Sequence, residues 1–265
     1  MKKQTVKKLV GVILGVTTIF SMAFGGVFGE LYVNDVNADE YDEENWDYND
    51  DWDDDDFDEN GLRIENGKLT DISTDSESTI VLPDTVKAIA GYAVGSNVKE
   101  LTISKNVSKI EKSAFISASQ LNTIKVDKDN KFYTVKNKCL YDKKGKTLLF
   151  VPRNATSVKF YSKAVTIESY AFAYCDKLKK VTVPKKMKTI NTNAFYYCKK
   201  LKSVVIKGKN TKLKANALYG NKVKRLKNLT SGKMPSKKGY LVITCAKGSK
   251  AQKFAKKNSI LWKEG

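Results

Sequence analysis

The sequence predicts an α/β solenoid, built mainly from short parallel β-strands joined by short helical or 3₁₀ turns. The first observation behind this prediction is a repeat: segment 181–198 recurs 23 residues earlier and 23 residues later, with apolar residues at the same places. The second is the alternation of apolar and polar residues inside each copy, which a strand buried on one face requires. A copy this short cannot bury its own apolar face, so a core forms only when successive copies stack.

The copies run along most of the chain, and one of them is interrupted. They begin at Ile80, Val98, Leu121, Val158, Val181, Val204 and, in a degenerate form, Val223. A period in the low twenties is typical of leucine-rich repeats, so we expect a leucine-rich-repeat solenoid over residues 78–232. In the third copy, residues 127–152 stand where the other copies have Ala-Phe. Two strand-like runs around Gly145 predict that this insertion contains a β-hairpin.

Both ends of the solenoid are expected to carry caps. Asn66-Gly67, a dipeptide typical of a tight turn, predicts a hairpin within a cap at residues 61–77. In the segment 233–265, Ser249 suits a helix N-cap, and three apolar residues follow it at helical spacing. We therefore predict a C-terminal capping helix over the open end of the solenoid, in preference to a helix that lies on a membrane surface.

Residues 1–38 have the composition of a secretory signal peptide. Lysines precede an apolar run from Leu9 to Phe28, and compact residues precede a predicted cleavage point before Asp39. A retained membrane anchor is the alternative, because the apolar run approaches the roughly 18 to 20 residues that span a bilayer. After cleavage we expect no membrane span and a protein that is secreted or displayed at the cell surface.

An acidic arm follows at residues 39–60, with 14 acidic and no basic residues. Repulsion between like charges and the small apolar area favour disorder. Three interpretations stay open: a flexible spacer, a competitor for anionic ligands that contacts the basic part of the chain through four interspersed aromatic residues, or a weak calcium site. The calcium candidates are Asp53, Asp54, Asp55 and Asp56, because Ca²⁺ prefers carboxylate oxygens.

The composition excludes several kinds of catalytic site. No histidine occurs among the 265 residues, so Ser-His and Cys-His nucleophile systems and histidine-ligated zinc sites are excluded. From Gly61 to the C-terminus there are 44 basic and 13 acidic residues. An exported enzyme that uses carboxylates and a purely structural envelope protein remain alternatives. No motif supports catalysis, and no cofactor is expected.

The repeat unit resembles that of the BspA-type leucine-rich repeats, Leu-x-x-Ile-x-Ile-Pro-x-x-Val-x-x-Ile-x-x-x-Ala-Phe-x-x-Cys. The match is good over residues 178–198 and extends roughly over residues 75–262, with departures at Asn97 and Ala118, where cysteine is usual. The resemblance implies a secreted or surface-exposed protein, in most cases bacterial, that acts in adhesion or protein recognition. It implies no catalytic residues.

The four cysteines are expected to be buried free thiols. Cys175 and Cys198 occupy the same place in adjacent copies and would point the same way into the core. Cysteine often behaves as a small buried hydrophobic residue. A bridge between Cys175 and Cys198 stays open as an alternative, because neighbouring strands lie about 5 Å apart.

The solvent-facing positions of the strands are the candidate ligand site. From the third copy onward they combine short hydroxyl side chains with cations. The candidate residues are Lys125, Lys159, Lys180, Thr182, Arg225 and Lys227. Repetition would place such cations in register about one strand spacing apart, which suits a polymeric anion. The alternative is that lysine serves only to keep the surface soluble.

The expected partner is a protein or a polyanionic glycan or cell-wall polymer. Nucleic acid is not favoured, because the predicted strand face has almost no aromatic residues on which bases could stack. Tyrosines do follow the Ala-Phe element, at positions 170, 174, 196, 197 and 219. They could form an aromatic binding strip on the edge opposite the strands, but we expect them mainly to pack between coils.

Overall fold

The computed structural model describes residues 57–221 and 240–265, which form a β-solenoid of stacked coils. The predicted signal peptide, most of the acidic arm and the degenerate copy at Val223 lie outside the described residues. The described elements are β1 (Leu62–Glu65), β2 (Lys68–Ile72), β3 (Thr79–Val81), β4 (Ala88–Ile89), β5 (Glu100–Ile103), β6 (Lys109–Ile110), β7 (Thr123–Val126), β8 (Tyr133–Lys136), β9 (Cys139–Asp142), β10 (Thr147–Phe150), β11 (Thr166–Ile167), β12 (Lys180–Val183), β13 (Thr189–Ile190), β14 (Ser203–Ile206), β15 (Lys212–Leu213), β16 (Val242–Cys245), α1 (Lys250–Lys257) and β17 (Trp262–Glu264).

The N-terminal hairpin lies where the Asn66-Gly67 dipeptide predicts it. Strands β1 and β2 pair antiparallel, with Glu65 opposite Lys68. Asn66 and Gly67 have φ angles of 51° and 75°, the left-handed values that a two-residue type I′ turn requires. Strand β2 then pairs in parallel with β4, so the hairpin joins the first coil to the N-terminal end of the stack.

Each regular coil contributes a strand of three or four residues and then a strand of two residues. The longer strands form the rows β3-β5-β7 and β12-β14-β16-β17, and the two-residue strands β11, β13 and β15 form a row that begins at β10. All neighbours within these rows are parallel; Val181, for example, lies opposite Val204, which lies opposite Ile243. The inward residues of these strands are buried, and the predicted parallel solenoid is confirmed.

The row of longer strands is interrupted at the copy that begins at Val158. The sequence predicts a strand there, but residues 157–160 form none. The insertion explains the difference, because its side chains take up the backbone hydrogen bonds of this stretch. Asn137 donates from Nδ2 to the carbonyl of Lys159 at 3.0 Å, and the hydroxyl of Tyr141 accepts from the amide of Tyr161 at 3.1 Å.

The insertion completes the third coil. Its predicted hairpin, β9 and β10, is present and is preceded by a further antiparallel strand, β8. Strand β10 pairs in parallel with β11 of the next coil. The amide of Val151 donates to the carbonyl of Ala171 at 2.9 Å. One coil later, the amide of Phe172 makes the equivalent hydrogen bond to the carbonyl of Ala194, so Val151 occupies the place of the repeat phenylalanine. Phe150 fills the interior, with its ring centroid 5.1 Å from that of Phe115.

The expected helical or 3₁₀ turns take the form of successive turns with hydrogen bonds between residues three apart. In the fourth coil such bonds join Ala171 to Glu168 and Ala173 to Tyr170. They do not extend into a helix because Tyr170 and Tyr174 have φ angles of 62° and 53°, outside the right-handed region. These turns point the Ala-Phe side chains into the core, where the rings of Phe172 and Phe195 stack with centroids 4.5 Å apart.

The last position of the repeat carries a hydrogen-bond donor. The Sγ atom of Cys198 donates to the carbonyl of Phe172 in the preceding coil at 2.9 Å, and Nδ2 of Asn221 donates to that of Phe195 at 2.6 Å. Asn97, where cysteine is usual, donates to a carbonyl of the N-terminal cap. The position therefore links coils by polar contacts and does more than fill space.

Arg153 takes this role in the third coil. The side chain is only 4% exposed. Its Nη2 donates to the carbonyl of Phe115, its Nε to that of Ala118 at 3.1 Å, and its Nη1 to that of Ala173. The guanidinium carbon also lies 4.9 Å from the ring centroid of Phe150. One buried cation thus joins the coils on both sides of the insertion.

The predicted capping helix is α1. Ser249 is its N-cap, with Oγ accepting from the amide of Gln252 at 3.1 Å, and Ala251 and Ala255 are buried against the end of the solenoid. Strand β17 then extends the sheet by pairing with β16. Within residues 57–221 and 240–265, no helix has the length and apolar character needed to cross a membrane.

Candidate functional site

The structure places four of the six predicted ligand residues. Lys180 and Thr182 are exposed on β12, and Lys125 is exposed on β7. Lys159 is exposed too, but in the stretch that forms no strand. Arg225 and Lys227 lie outside the described residues.

The expected register of cations on the strands was wrong. Lys180 lies opposite Ser203, and Thr182 lies opposite Val205, so the 23-residue shift moves each position to a residue of another type. Lys125 lies opposite Thr102 and forms an ion pair with Glu100 on the adjacent strand. The strand face of the later coils therefore consists of hydroxyl and small apolar side chains with isolated lysines, and Lys125 is largely neutralised.

Positive charge is concentrated in the second half of the solenoid. Residues 57–152 contain 15 basic and 12 acidic residues, whereas residues 153–221 and 240–265 together contain 22 basic and three acidic residues. The ion pairs of the described ranges are Lys68–Glu111 at 3.1 Å, Lys105–Asp84 at 2.5 Å, Lys112–Glu168 at 3.6 Å, Lys125–Glu100, and Lys128–Asp129 at 3.3 Å. No described lysine beyond Lys128 forms an ion pair, so these coils carry uncompensated positive charge.

Lysines recur in register on the turns that flank β12 and β14 and on the equivalent turn after residues 157–160. We call them the flanking lysines: Lys163, Lys177, Lys179, Lys186, Lys200, Lys202 and Lys209. All are exposed. The amide of Lys202 donates to the carbonyl of Lys179 at 2.9 Å, so these two lie side by side on adjacent coils. Adjacent coils are about 5 Å apart, and the turns thus carry the ladder of cations that was expected on the strands.

The sequence contained a signal for the flanking lysines. Residues 163, 186 and 209 are all lysine and are separated by 23 residues, as are the pairs 177 and 200, and 179 and 202. The comparison of copies that finds the apolar core also finds these positions. They are missed when only the outward residues of the strands are considered.

The tyrosines after Ala-Phe pack against one another between coils, as expected. Tyr196 stacks on Tyr219 with ring centroids 5.7 Å apart, and Tyr174 stacks on Tyr197 at 5.9 Å. Nδ2 of Asn193 donates to the hydroxyl of Tyr170 at 2.9 Å. These ring contacts brace neighbouring coils against one another.

All four cysteines are buried and free, which confirms the expected thiols and argues against the alternative bridge. Burial raises the pKa of Cys139 and of Cys175 to about 12. Burial also raises the pKa of Cys198 well above its usual range. Since the thiolate is the reactive form, we expect these groups to react slowly in the folded protein.

We expect the native protein to resist thiol reagents. At pH 8 the thiolate fraction of Cys139 and Cys175 is very small, and burial blocks access, so Ellman's reagent should give little colour over an hour. Unfolding in guanidinium without reductant should release four reactive thiols, with glutathione as the control for reagent activity. Fewer than four thiols after unfolding, or rapid reaction of the native protein, would contradict the assignment.

The calcium candidates Asp53, Asp54, Asp55 and Asp56 lie outside the described residues. In the ranges 57–221 and 240–265, no group of three or more cysteine or acidic residues is arranged to hold a metal ion. The acidic side chains there have other partners. Asp142 accepts from the amide of Lys146 at 2.7 Å, and Glu168 accepts from Nδ2 of Asn191 at 2.9 Å.

Comparison with solved structures finds several bacterial repeat proteins. A leucine-rich repeat protein from Eubacterium ventriosum is 30% identical, with a TM-score of 0.48 over 51% of this chain and 37% of the other. The pneumococcal vaccine antigen PcpA is 17% identical, with a TM-score of 0.39 over 71% of this chain and 67% of the other. A leucine-rich cell surface protein from Faecalibacterium prausnitzii is 20% identical, with a TM-score of 0.35 over 53% and 52%. No curated protein matches.

The repeat unit itself gives a stronger result. The family described as BspA type leucine-rich repeat region matches in six copies, over residues 71–147 and 146–235. These ranges take in more than half of the sequence and coincide with the stacked coils and the insertion. The chain therefore belongs to the BspA-type leucine-rich repeat family.

Proposed function

We propose that this protein is a non-catalytic binding protein of the bacterial cell surface, which holds an anionic glycan or cell-wall polymer across the coils from Lys163 to Lys209. The observation that carries the proposal is the register of the flanking lysines. Two unit charges 4 Å apart repel by about 1 kcal/mol in water, and no flanking lysine forms an ion pair with a described acidic residue that would offset that repulsion. A polymer whose anionic groups repeat along its length would reduce the repulsion between lysines at several coils at once.

The composition of this surface favours a polymer over a folded protein partner. Protein interfaces are enriched in tyrosine, tryptophan and arginine and depleted in lysine. Here the exposed cations are lysines, and the tyrosines are stacked on one another. Apart from Lys163, the flanking lysines lie before or after β12 and β14. These strands carry Lys180, Thr182 and Ser203, whose side chains can hydrogen-bond to sugar hydroxyls or phosphate oxygens. The absence of histidine from the whole sequence also supports a role in binding and not in catalysis.

Export and the acidic arm fit this role. A cleaved signal peptide at residues 1–38 would deliver the protein to the envelope, where such polymers occur. The acidic arm at residues 39–60 has the opposite charge to the flanking lysines and would compete with the polymer for them. The competition is electrostatic, so salt should weaken it together with polymer binding.

A pull-down of the mature protein, with and without residues 39–56, which carry 12 of the 14 acidic residues of the arm, tests the proposal. Isolated cell wall, mucin and matrix proteins serve as separate baits at 50 mM and 300 mM salt. We expect capture by cell wall or mucin that falls with salt and rises several-fold when the arm is removed. A matched control replaces the acidic residues of the arm by Asn and Gln at constant length and should behave like the deletion. Capture that is indifferent to salt, or by a matrix protein alone, would contradict a polymer ligand.

A further inference from the structure

A cavity of about 460 Å³ lies at the C-terminal end of the solenoid, between β15 and the capping helix α1. Its volume falls in the range of sites that bind small molecules. Its apolar lining comes from Leu213, Ala215 and Phe254. Leu213 belongs to the hydrophobic cluster that contains Phe172 and Phe195, and the partly buried Phe254 packs against it, so the fold fixes this part of the lining.

Helix α1 directs its lysines to the cavity. Ala251 and Ala255 are buried against the solenoid, which fixes the rotation of the helix. Lys250, Lys253 and Lys257 then lie along the neighbouring face, at helical spacings of three and four residues, and all three line the cavity. The amide of Lys250 donates to the carbonyl of Lys209 at 3.0 Å, which ties the start of the helix to the last regular coil.

Two of the cations of this cavity are not explained by the stability of the helix. Lys250 and Lys253 lie in the first turn of α1, which contains no acidic residue, and cations there interact unfavourably with the helix dipole. Lys212 adds a further ammonium group from β15, and no acidic side chain lines the cavity. The arrangement therefore combines an apolar floor with a rim of four cations.

We propose that this cavity binds an amphipathic carboxylate, a molecule with a single aliphatic chain that ends in a carboxylate group. The chain would lie against Leu213, Ala215 and Phe254, and the carboxylate would be held by the lysine ammonium groups. The methylene stems of the lysines add apolar surface around the chain. This site is separate from the flanking lysines and does not depend on the polymer proposed above.

Calorimetric titration of the mature protein with decanoate and with hexanoate tests the apolar floor. We expect one decanoate per chain. Each buried methylene contributes about fourfold in affinity, so decanoate should bind at least tenfold more tightly than hexanoate. Ala215 is exposed on a turn, so Ala215→Trp should fill the cavity without unfolding the protein and abolish decanoate binding, whereas Ala215→Ser should preserve it. Equal affinity for the two acids, or no effect of Ala215→Trp, would overturn the proposal.

Charge reversal tests the rim. The double variant Lys253→Glu/Lys257→Glu should lose at least tenfold in decanoate affinity. The control, Lys247→Glu/Lys263→Glu, makes the same change of net charge on exposed residues of the same cap that do not line the cavity, and it should bind like the wild type. Equal loss in both variants would mean that decanoate responds to net charge and not to a site. Polymer capture by the Ala215→Trp variant should be unchanged, which separates this test from that of the proposed function.

Discussion

Replacing Arg153 by methionine is expected to lower the free energy of unfolding by about 3 kcal/mol. Three nitrogens of the buried guanidinium donate to the carbonyls of Phe115, Ala118 and Ala173. Hydrogen bonds to a charged group contribute about 1.5 to 3 kcal/mol each. The cost of burying the cation, which also lowers the pKa of Arg153, offsets part of this sum. Methionine fills the space but provides no donor.

The position of Arg153 makes this loss larger than that of an ordinary core contact. One buried cluster surrounds Leu101 and Phe115, and the other surrounds Phe172 and Phe195. Arg153 contacts backbone on both sides of the insertion and so couples the two. In a repeat protein, stability depends on such interfaces between neighbouring coils. Weakening this one should therefore affect the cooperativity of unfolding as well as its midpoint.

Urea unfolding followed by far-ultraviolet circular dichroism provides the measurement. Arg153→Lys keeps the charge, but one ammonium group cannot reach three carbonyls in a planar arrangement, so this variant should lose nearly as much stability. Lys163→Met removes an exposed cation and should stay within about 0.5 kcal/mol of the wild type. A loss below about 1 kcal/mol for Arg153→Met would show that the buried cation does not couple the coils.

Reversing three flanking lysines is expected to reduce polymer affinity by about two orders of magnitude at low salt. The triple variant is Lys163→Glu/Lys186→Glu/Lys209→Glu, in which three cations on successive coils become anions. The matched control is Lys87→Glu/Lys109→Glu/Lys131→Glu, which changes the net charge equally on exposed residues of the first half of the solenoid and of the insertion. Its affinity should fall less than tenfold.

Both triple variants should fold like the wild type. The residues changed are exposed and form no ion pair within the described ranges, so their unfolding midpoints should be similar. Fluorescence anisotropy with a labelled polyphosphate measures the affinities. Equal losses in the two variants would indicate attraction by net charge alone, without a preferred surface.

The regular coils could be predicted from sequence because their structure is local and repeated. The alternating residues around Val181 and the Ala-Phe pair at Phe195 recur at a constant shift, which predicts stacking. Asn66-Gly67 predicts the hairpin because this dipeptide readily adopts the left-handed conformation of a tight turn. Ser249 predicts the start of the helix because its side chain can cap the first turn. Both effects act over only a few residues.

The features that the sequence did not reveal depend on contacts between distant residues. Nothing near Val158 forbids a strand; it is absent because Asn137 and Tyr141 of the insertion engage this stretch. Arg153 follows a proline in a polar segment and would ordinarily be expected to be exposed. It is buried because three carbonyls from two other coils converge on it.

The exposure of the candidate residues could be predicted from sequence, whereas their role in binding stays a prediction. Lys180 and Thr182 are exposed on the strand face as expected, but the cations in register lie on the neighbouring turns. Turn positions are harder to interpret from sequence, because lysine is common on exposed turns whatever their function. The structure adds the register of adjacent coils and the absence of ion pairs beyond Lys128 in the described residues, and the proposed site rests on these two observations.

The salt dependence of polyphosphate affinity tests the central proposal most directly. Lysines that neutralise a polyanion release counterions, so the logarithm of the association constant should fall linearly with the logarithm of the salt concentration. We predict a steep slope for the wild type, the same slope for the control variant, and a clearly shallower slope for Lys163→Glu/Lys186→Glu/Lys209→Glu. An affinity that does not change with salt, or equal slopes for all three proteins, would contradict binding through the flanking lysines.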